Sequence, residues 1–127
     1  MAGDDVATLK VLKDLLDAFN RHDLDAIMEC FADEGTLDRP RGPFPWGLRL
    51  VGKAQVREGV ASRFASLPDL HYEEHRHWVC GDMGVSEWTL TGTTTAGVRL
   101  EVRGTDNYEF RAGKVVRKDA YWKIVEK

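Results

Sequence analysis

The C-terminal half constrains the fold most. From residue 70 onward the 127-residue sequence reads as strands alone, about 70–80, 84–94, 98–110 and 115–125, divided by the short turns GDM, TAG and RAG. Strands joined by turns this short pair antiparallel, because a parallel pair needs a long crossover. The stretch VRLEVRGTDNYEF (98–110) shows the pattern most clearly. Its odd positions, from Arg99 to Glu109, are all polar, while its even positions carry Val98, Leu100, Val102, Tyr108 and Phe110. A period of two marks a strand with one wet and one buried face. Asp106 breaks the rule: it is a carboxylate on the face meant for the core, where an unpaired charge is costly.

Its neighbours follow from the turns. Thr95-Ala96-Gly97 and Arg111-Ala112-Gly113 both end in glycine, which suits a three-residue hairpin loop with a left-handed third residue. Counting back from two such loops sets Ser86 opposite Asp106, Gly104 opposite Trp88, and Asp106 opposite Lys118. A bulge would move the last pairing by two and leave Asp106 and Lys118 as diagonal neighbours, still within reach of a long side chain. Lys118 itself intrudes among Val116, Ala120, Trp122 and Ile124 on one face of its strand. The row Ser86, Asp106, Lys118 reads either as a buried ion pair that sets register or as a pocket acid or base tuned by burial and a partner.

The first half reads as helices. Val6, Leu9, Leu12, Leu16 and Phe19 recur at helical spacing, with Asp4 or Asp5 as a cap. Asp23 caps a second, shorter helix with Leu24, Ile27, Met28 and Phe31 as its apolar stripe. ADEG (32–35) reads as a turn and residues 35–39 as a short extended piece. PRGPFPWGLRLV (40–51) reads as a rather apolar loop carrying Phe44 and Trp46, either a functional loop or a lid that plugs the end of the core. Gly52 opens a third helix with the stripe Val56, Val60, Phe64 and Leu67, and Pro68 closes it. Three helices followed by an antiparallel meander is an α+β pattern in one domain, 1–127.

Composition narrows the function. A net charge of −3 with no Lys/Arg run argues against nucleic acid. No apolar stretch approaches about 18 residues and the N-terminus lacks a basic and an apolar region, so the expectation is a cytoplasmic protein that does not enter a membrane. Cys30 and Cys80 lack metal or redox spacing and read as core thiols in a reducing compartment. HxH at 75–77 has no third ligand at a known spacing, there is no HExxH, and there is no GxSxG, so neither a metal, an organic cofactor nor a nucleophilic serine is expected.

LLDAFNRHDLDAIMECFADEGTLDRP, GVSEWTLTGT and GTDNYEFRAGKVV together resemble the nuclear transport factor 2-like superfamily, and within it the SnoaL-like group of polyketide cyclases and ketosteroid isomerases. The resemblance spans nearly the whole chain. It implies a cystatin-like cone: a curved mixed or antiparallel sheet wrapped around three helices, with one apolar pocket. It also implies acid–base chemistry, such as isomerisation, cyclisation or dehydration, on a hydrophobic carbonyl or polycyclic small molecule. The alternative is a non-catalytic ligand-binding or dimeric interaction module of the same fold.

Residue by residue, Asp106 matches the later-strand aspartate and Trp88 an apolar pocket position. The early-strand carboxylate should stand where Arg39 is, with Asp38 one residue before it, and the helix tyrosine position is Leu15. Asp106 and Lys118 are therefore the first catalytic candidates, with Asp38 and His77 behind them. A turn of two or four residues around Asp82-Met83 would turn His77 inward, where histidine suits acid–base work near neutral pH. Arg39, Trp46, Ser86, Trp88, Tyr108 and Trp122 are the candidate substrate-binding residues, Arg39 for an anionic group at the pocket mouth. Related cones suggest a homodimer through the outer sheet face.

Overall fold

In the computed structural model, which describes residues 3–127, three helices cover one face of a six-stranded sheet. Helix α1 (Gly3–Asn20) buries Leu12, Leu15, Leu16 and Phe19 along one stripe. Asp4 and Asp5 lie inside its first turn rather than capping it, and there their charge favours the helix N-terminus. After the left-handed residue His22 (φ 54°), the Asp23 carboxylate accepts the Ala26 N–H at 3.1 Å and starts α2 (Leu24–Cys30). Helix α3 (Lys53–Ser66) buries Val56 and Val60 and ends before Leu67 and Pro68.

Two sequence readings are corrected between α2 and α3. ADEG is not a turn and 40–51 is not a loop. A single strand β1 runs Phe31–Phe44, turns at Pro45-Trp46, and returns as β2 (Gly47–Val51). The prolines misled because they forbid a regular ladder. Pairing is continuous only from Thr36–Val51 to Arg39–Leu48, then breaks until Phe44–Gly47, and Pro40 and Pro43 sit in the break. Trp46 is at the exposed tip, stacked on Phe44 with ring centroids 5.1 Å apart, away from the interior.

The meander follows as β3 (His71–Cys80), β4 (Met83–Thr93), β5 (Arg99–Arg111) and β6 (Lys114–Trp122). The sheet order is β2-β1-β6-β5-β4-β3, with β1 and β6 parallel and every other pair antiparallel. The β4–β5 loop is the expected three-residue one, with Gly97 at φ 83° and Thr94 N–H donating to Val98 O at 2.9 Å. Ser86 accordingly pairs with Asp106, and Trp88 with Gly104.

The β5–β6 turn differs. Arg111 pairs with Lys114 across two residues, Ala112 (φ 51°) and Gly113 (φ 77°), the backbone that a two-residue hairpin with matching twist requires. A bulge at Val116 then adds a second single-residue shift, because Glu109 pairs with Arg117 but Phe110 with Val115. Together they move the register by two. Asp106 stands opposite Ala120, Lys118 stands opposite Tyr108, and the two charges are diagonal neighbours. β6 stops at Trp122, so Ile124, expected on the buried face, is exposed. The thiols are free; Cys30 is half-buried, but Cys80 is exposed at the end of β3 rather than in the core.

The core lies between the helices and the inner sheet face. Its largest sealed side chain is Trp88, with Leu90, Val102, Tyr108, Phe110 and Val115 around it and the α1 stripe above.

Candidate functional site

Asp106 comes inward from β5, and its donors come from β4, from β6 and from β5 itself. Its Oδ1 accepts from Lys118 Nζ at 2.9 Å. Its Oδ2 accepts from Trp88 Nε1 at 2.9 Å and from Tyr108 Oη at 3.4 Å. Asp106 and Lys118 are 2% and 4% exposed, so this is a buried, hydrogen-bonded ion pair. The Lys118 ammonium also lies 5.1 Å from the centre of the Phe19 ring, a favourable cation–aromatic contact. Burial, and then the charge of Asp106, raise the pKa of the Tyr108 phenol well above its usual value; the same causes raise that of Tyr72. Both stay protonated, and Tyr108 remains a donor.

The diagonal register sets which group meets the interior space. Asp106 is walled in by its three donors. Lys118 lines a cleft between α3 and the inner faces of β1 and β6, with Phe19, Leu37, Leu50 and Val60 as apolar walls and Arg39, Arg63, Tyr72 and Trp122 around it. The cleft holds about 50 Å³, which is small beside the several hundred that drug-sized ligands fill. A larger depression, about 640 Å³, lies along the start of α1 and the turns at Gly81-Asp82 and Ala112-Gly113, and contains none of these charged groups.

The other candidates fall in three places. Arg39 and Trp122 line the cleft. Ser86, Trp88 and Tyr108 are on the inner face but sealed behind Lys118 and Asp106 rather than on the cleft wall. Asp38 lies on the opposite face. No bulge intervenes between Thr36 and Arg39, so Leu37 and Arg39 point in and Asp38 points out. There its carboxylate takes a two-pronged contact from Arg49, at 2.7 and 3.0 Å, with Arg117 at 3.7 Å.

His77 does turn inward, through a two-residue turn, and an unforeseen bulge before it changes the facing of the residues that precede it. Cys80 pairs with Met83 across Gly81-Asp82, and the extra residue His75 switches the facing parity, so that Tyr72, Glu74 and His77 are all inward. His77 Nδ1 is 2.8 Å from Ser86 Oγ, and its Nε2 is 2.5 Å from Glu74 Oε2. The chain Glu74–His77–Ser86 thus ends at Asp106's strand partner. Arg63 was missed in the sequence. The available signal was its position three residues after Val60, which puts it on the buried stripe of α3.

The model of the SnoaL-like domain family matches residues 12–118. The fold is similar to that of a candidate polyketide cyclase from Xanthomonas campestris pv. campestris (18% identity, TM-score 0.85, covering 95% of this chain and 93% of that one). It is also similar to a nuclear transport factor 2-like protein of unknown function from Mesorhizobium loti (23% identity, TM-score 0.81, 98% and 97% covered). A third similar structure is a protein with a ketosteroid isomerase-like fold from Catenulispora acidiphila, in complex with trimethylamine (16% identity, TM-score 0.79, 90% and 85% covered). A search of curated proteins found no sequence match. At these identities the likeness shows the fold alone.

Proposed function

The chain belongs to the SnoaL-like domain family, and we propose that it binds a small, largely apolar carbonyl compound in the cleft and assists its isomerisation, cyclisation or dehydration. The observation that carries this is the double position of Lys118, which lines the cleft while Asp106 holds its ammonium at 2.9 Å. A charge fixed in a dry wall stabilises an oxyanion developing on a ligand carbonyl without having to reorganise. Lys118 is then the group that touches substrate. Asp106 is a positioning residue that holds the ammonium in place, and Glu74–His77–Ser86 lies behind it.

The test is turnover of cyclic β,γ-unsaturated ketones, followed by the ultraviolet absorbance gained as the double bond moves into conjugation. In this reaction a proton leaves the carbon next to the carbonyl and another is added at the far end of the shifted double bond. The variant is Asp106→Asn/Lys118→Met, which removes both charges at nearly constant volume. A loss of about 100-fold or more is expected, and wild-type turnover in the folded variant would overturn the catalytic role. The sealed position of Asp106 favours a second reading, a non-catalytic binding module. Ligand binding by wild type with no turnover selects it.

We also propose a homodimer through the outer sheet face, where Trp78, Met83 and Tyr121 are exposed together. Light scattering at micromolar concentration is expected to give the mass of two chains; the mass of one excludes it.

A further inference from the structure

The arginines divide unequally. The sequence holds eleven. Eight have a carboxylate within 4.0 Å: Arg21, Arg49, Arg57, Arg76, Arg99, Arg103, Arg111 and Arg117. Among the described residues, the three that have none are Arg39, Arg41 and Arg63. These three are gathered at one place. Arg39 and Arg63 line the cleft with Trp122, and Arg41 lines the depression on the other side of Trp122.

A chain with net charge −3 has carboxylates to spare, so leaving these three unpaired in one place calls for an explanation. Like charges brought together repel, and Arg63 is also partly withdrawn from water. Burial is the main cause lowering its pKa, and the charges of Arg39 and Arg41 act in the same direction. Its guanidinium lies over the Trp122 ring at 5.1 Å, which orients it but supplies no counter-charge. No carboxylate lines the cleft beside Arg39 and Arg63, and Glu101, which lines the depression with Arg41, makes no ion pair with it. Guanidinium stays charged at any ordinary pH and offers a planar fork of donors that matches a carboxylate. The remaining walls, Phe19, Leu37, Leu50 and Val60, are apolar and would gain nothing from a bare inorganic anion.

We propose that the missing counter-charge is the ligand's own: the cleft takes a planar organic carboxylate, its anionic head held by Arg39 and Arg63 and its apolar body laid against Trp122. This rests on the reading of the cleft as the ligand site and narrows its ligand from carbonyl compounds in general to those bearing an acid. Arg41 contributes by attraction rather than contact, so its effect is on the rate of arrival.

The experiment is titration calorimetry with 2-naphthoate and with its uncharged isostere 2-acetylnaphthalene, alongside the indole N–H signals of the four tryptophans by NMR. Wild type is expected to bind naphthoate at least tenfold more tightly than the ketone, with the Trp122 indole shifted by both. Arg63→Gln and Arg39→Gln are each expected to weaken naphthoate about tenfold or more while leaving the ketone unchanged. Arg63→Lys keeps the charge but loses the fork, and is expected to recover part of the loss. None of these arginines has a carboxylate partner to lose, and circular dichroism checks that each variant keeps the fold. Equal affinity for acid and ketone, with Trp122 shifted by both, overturns the carboxylate proposal and leaves the cleft as the ligand site. No Trp122 shift with either ligand overturns both.

Discussion

Lys118→Ala is expected to lose about 3–5 kcal/mol of folding stability, the usual cost of leaving one member of a buried ion pair alone. Lys118 and Asp106 are both almost fully buried, and 2.9 Å separates Nζ from Oδ1. Without the ammonium, Asp106 keeps only two neutral donors, Trp88 Nε1 and Tyr108 Oη, the second at 3.4 Å. The carboxyl is then buried without a counter-charge, which is costly. Domains of this size are stable by only about 5–15 kcal/mol, so urea denaturation should show the midpoint fall by a large fraction of its value. The double variant Asp106→Asn/Lys118→Met is expected to recover most of the loss, because nothing charged is then buried. A single-variant loss below about 1 kcal/mol would mean that water reaches Asp106, and the sealed pair would have to be abandoned.

Gly104→Ala should be costly for a different reason. Gly104 faces Trp88 across the β4–β5 ladder. A methyl group there would stand 2.4 Å from the Tyr121 carbonyl oxygen and 2.6 Å from the Trp88 ring. Neither neighbour yields cheaply: one is sheet backbone, and the other is a sealed indole bonded to Asp106. Overpacking of this kind costs about 1–3 kcal/mol. Thermal unfolding followed by tryptophan fluorescence should show a lower midpoint and an altered native spectrum, since the indole must move. An unchanged spectrum and midpoint would mean that β5 relaxes freely away from β4.

The two variants touch features of different legibility. Gly104 opposite Trp88 was readable, because the β4–β5 loop has its left-handed glycine where a three-residue hairpin needs it. The partnership of Asp106 and Lys118 was readable as a misfit on each of two strands. Their diagonal relation was readable only as the alternative to direct pairing. It came from two single-residue shifts, one in the Ala112-Gly113 turn and one at Val116. Ala112 carries no sign that it will adopt φ 51°, and a valine carries no sign that it will bulge. Prolines in 40–51 hid a strand, because a hairpin with an interrupted ladder looks like a loop one residue at a time. His77's direction was readable from a two-residue turn, but the bulge at His75, which turns Tyr72 and Glu74 inward, was not, because the strand is clean on neither face.

By itself, then, the sequence determined the class of the fold, the order of its three helices and of the four strands of the meander, and the two charges that would have to meet inside it. Those rest on local periodicity and turn chemistry, which the neighbours in the chain largely settle. The tertiary structure decided that Lys118 rather than Asp106 faces the cleft, that Asp38 points away from it, and that Arg63 arrives from α3 to join Arg39 around Trp122. The physical reason is that register and helix docking are cooperative sums over many weak contacts. A shift of one residue costs little locally, yet it changes which side chains share a wall.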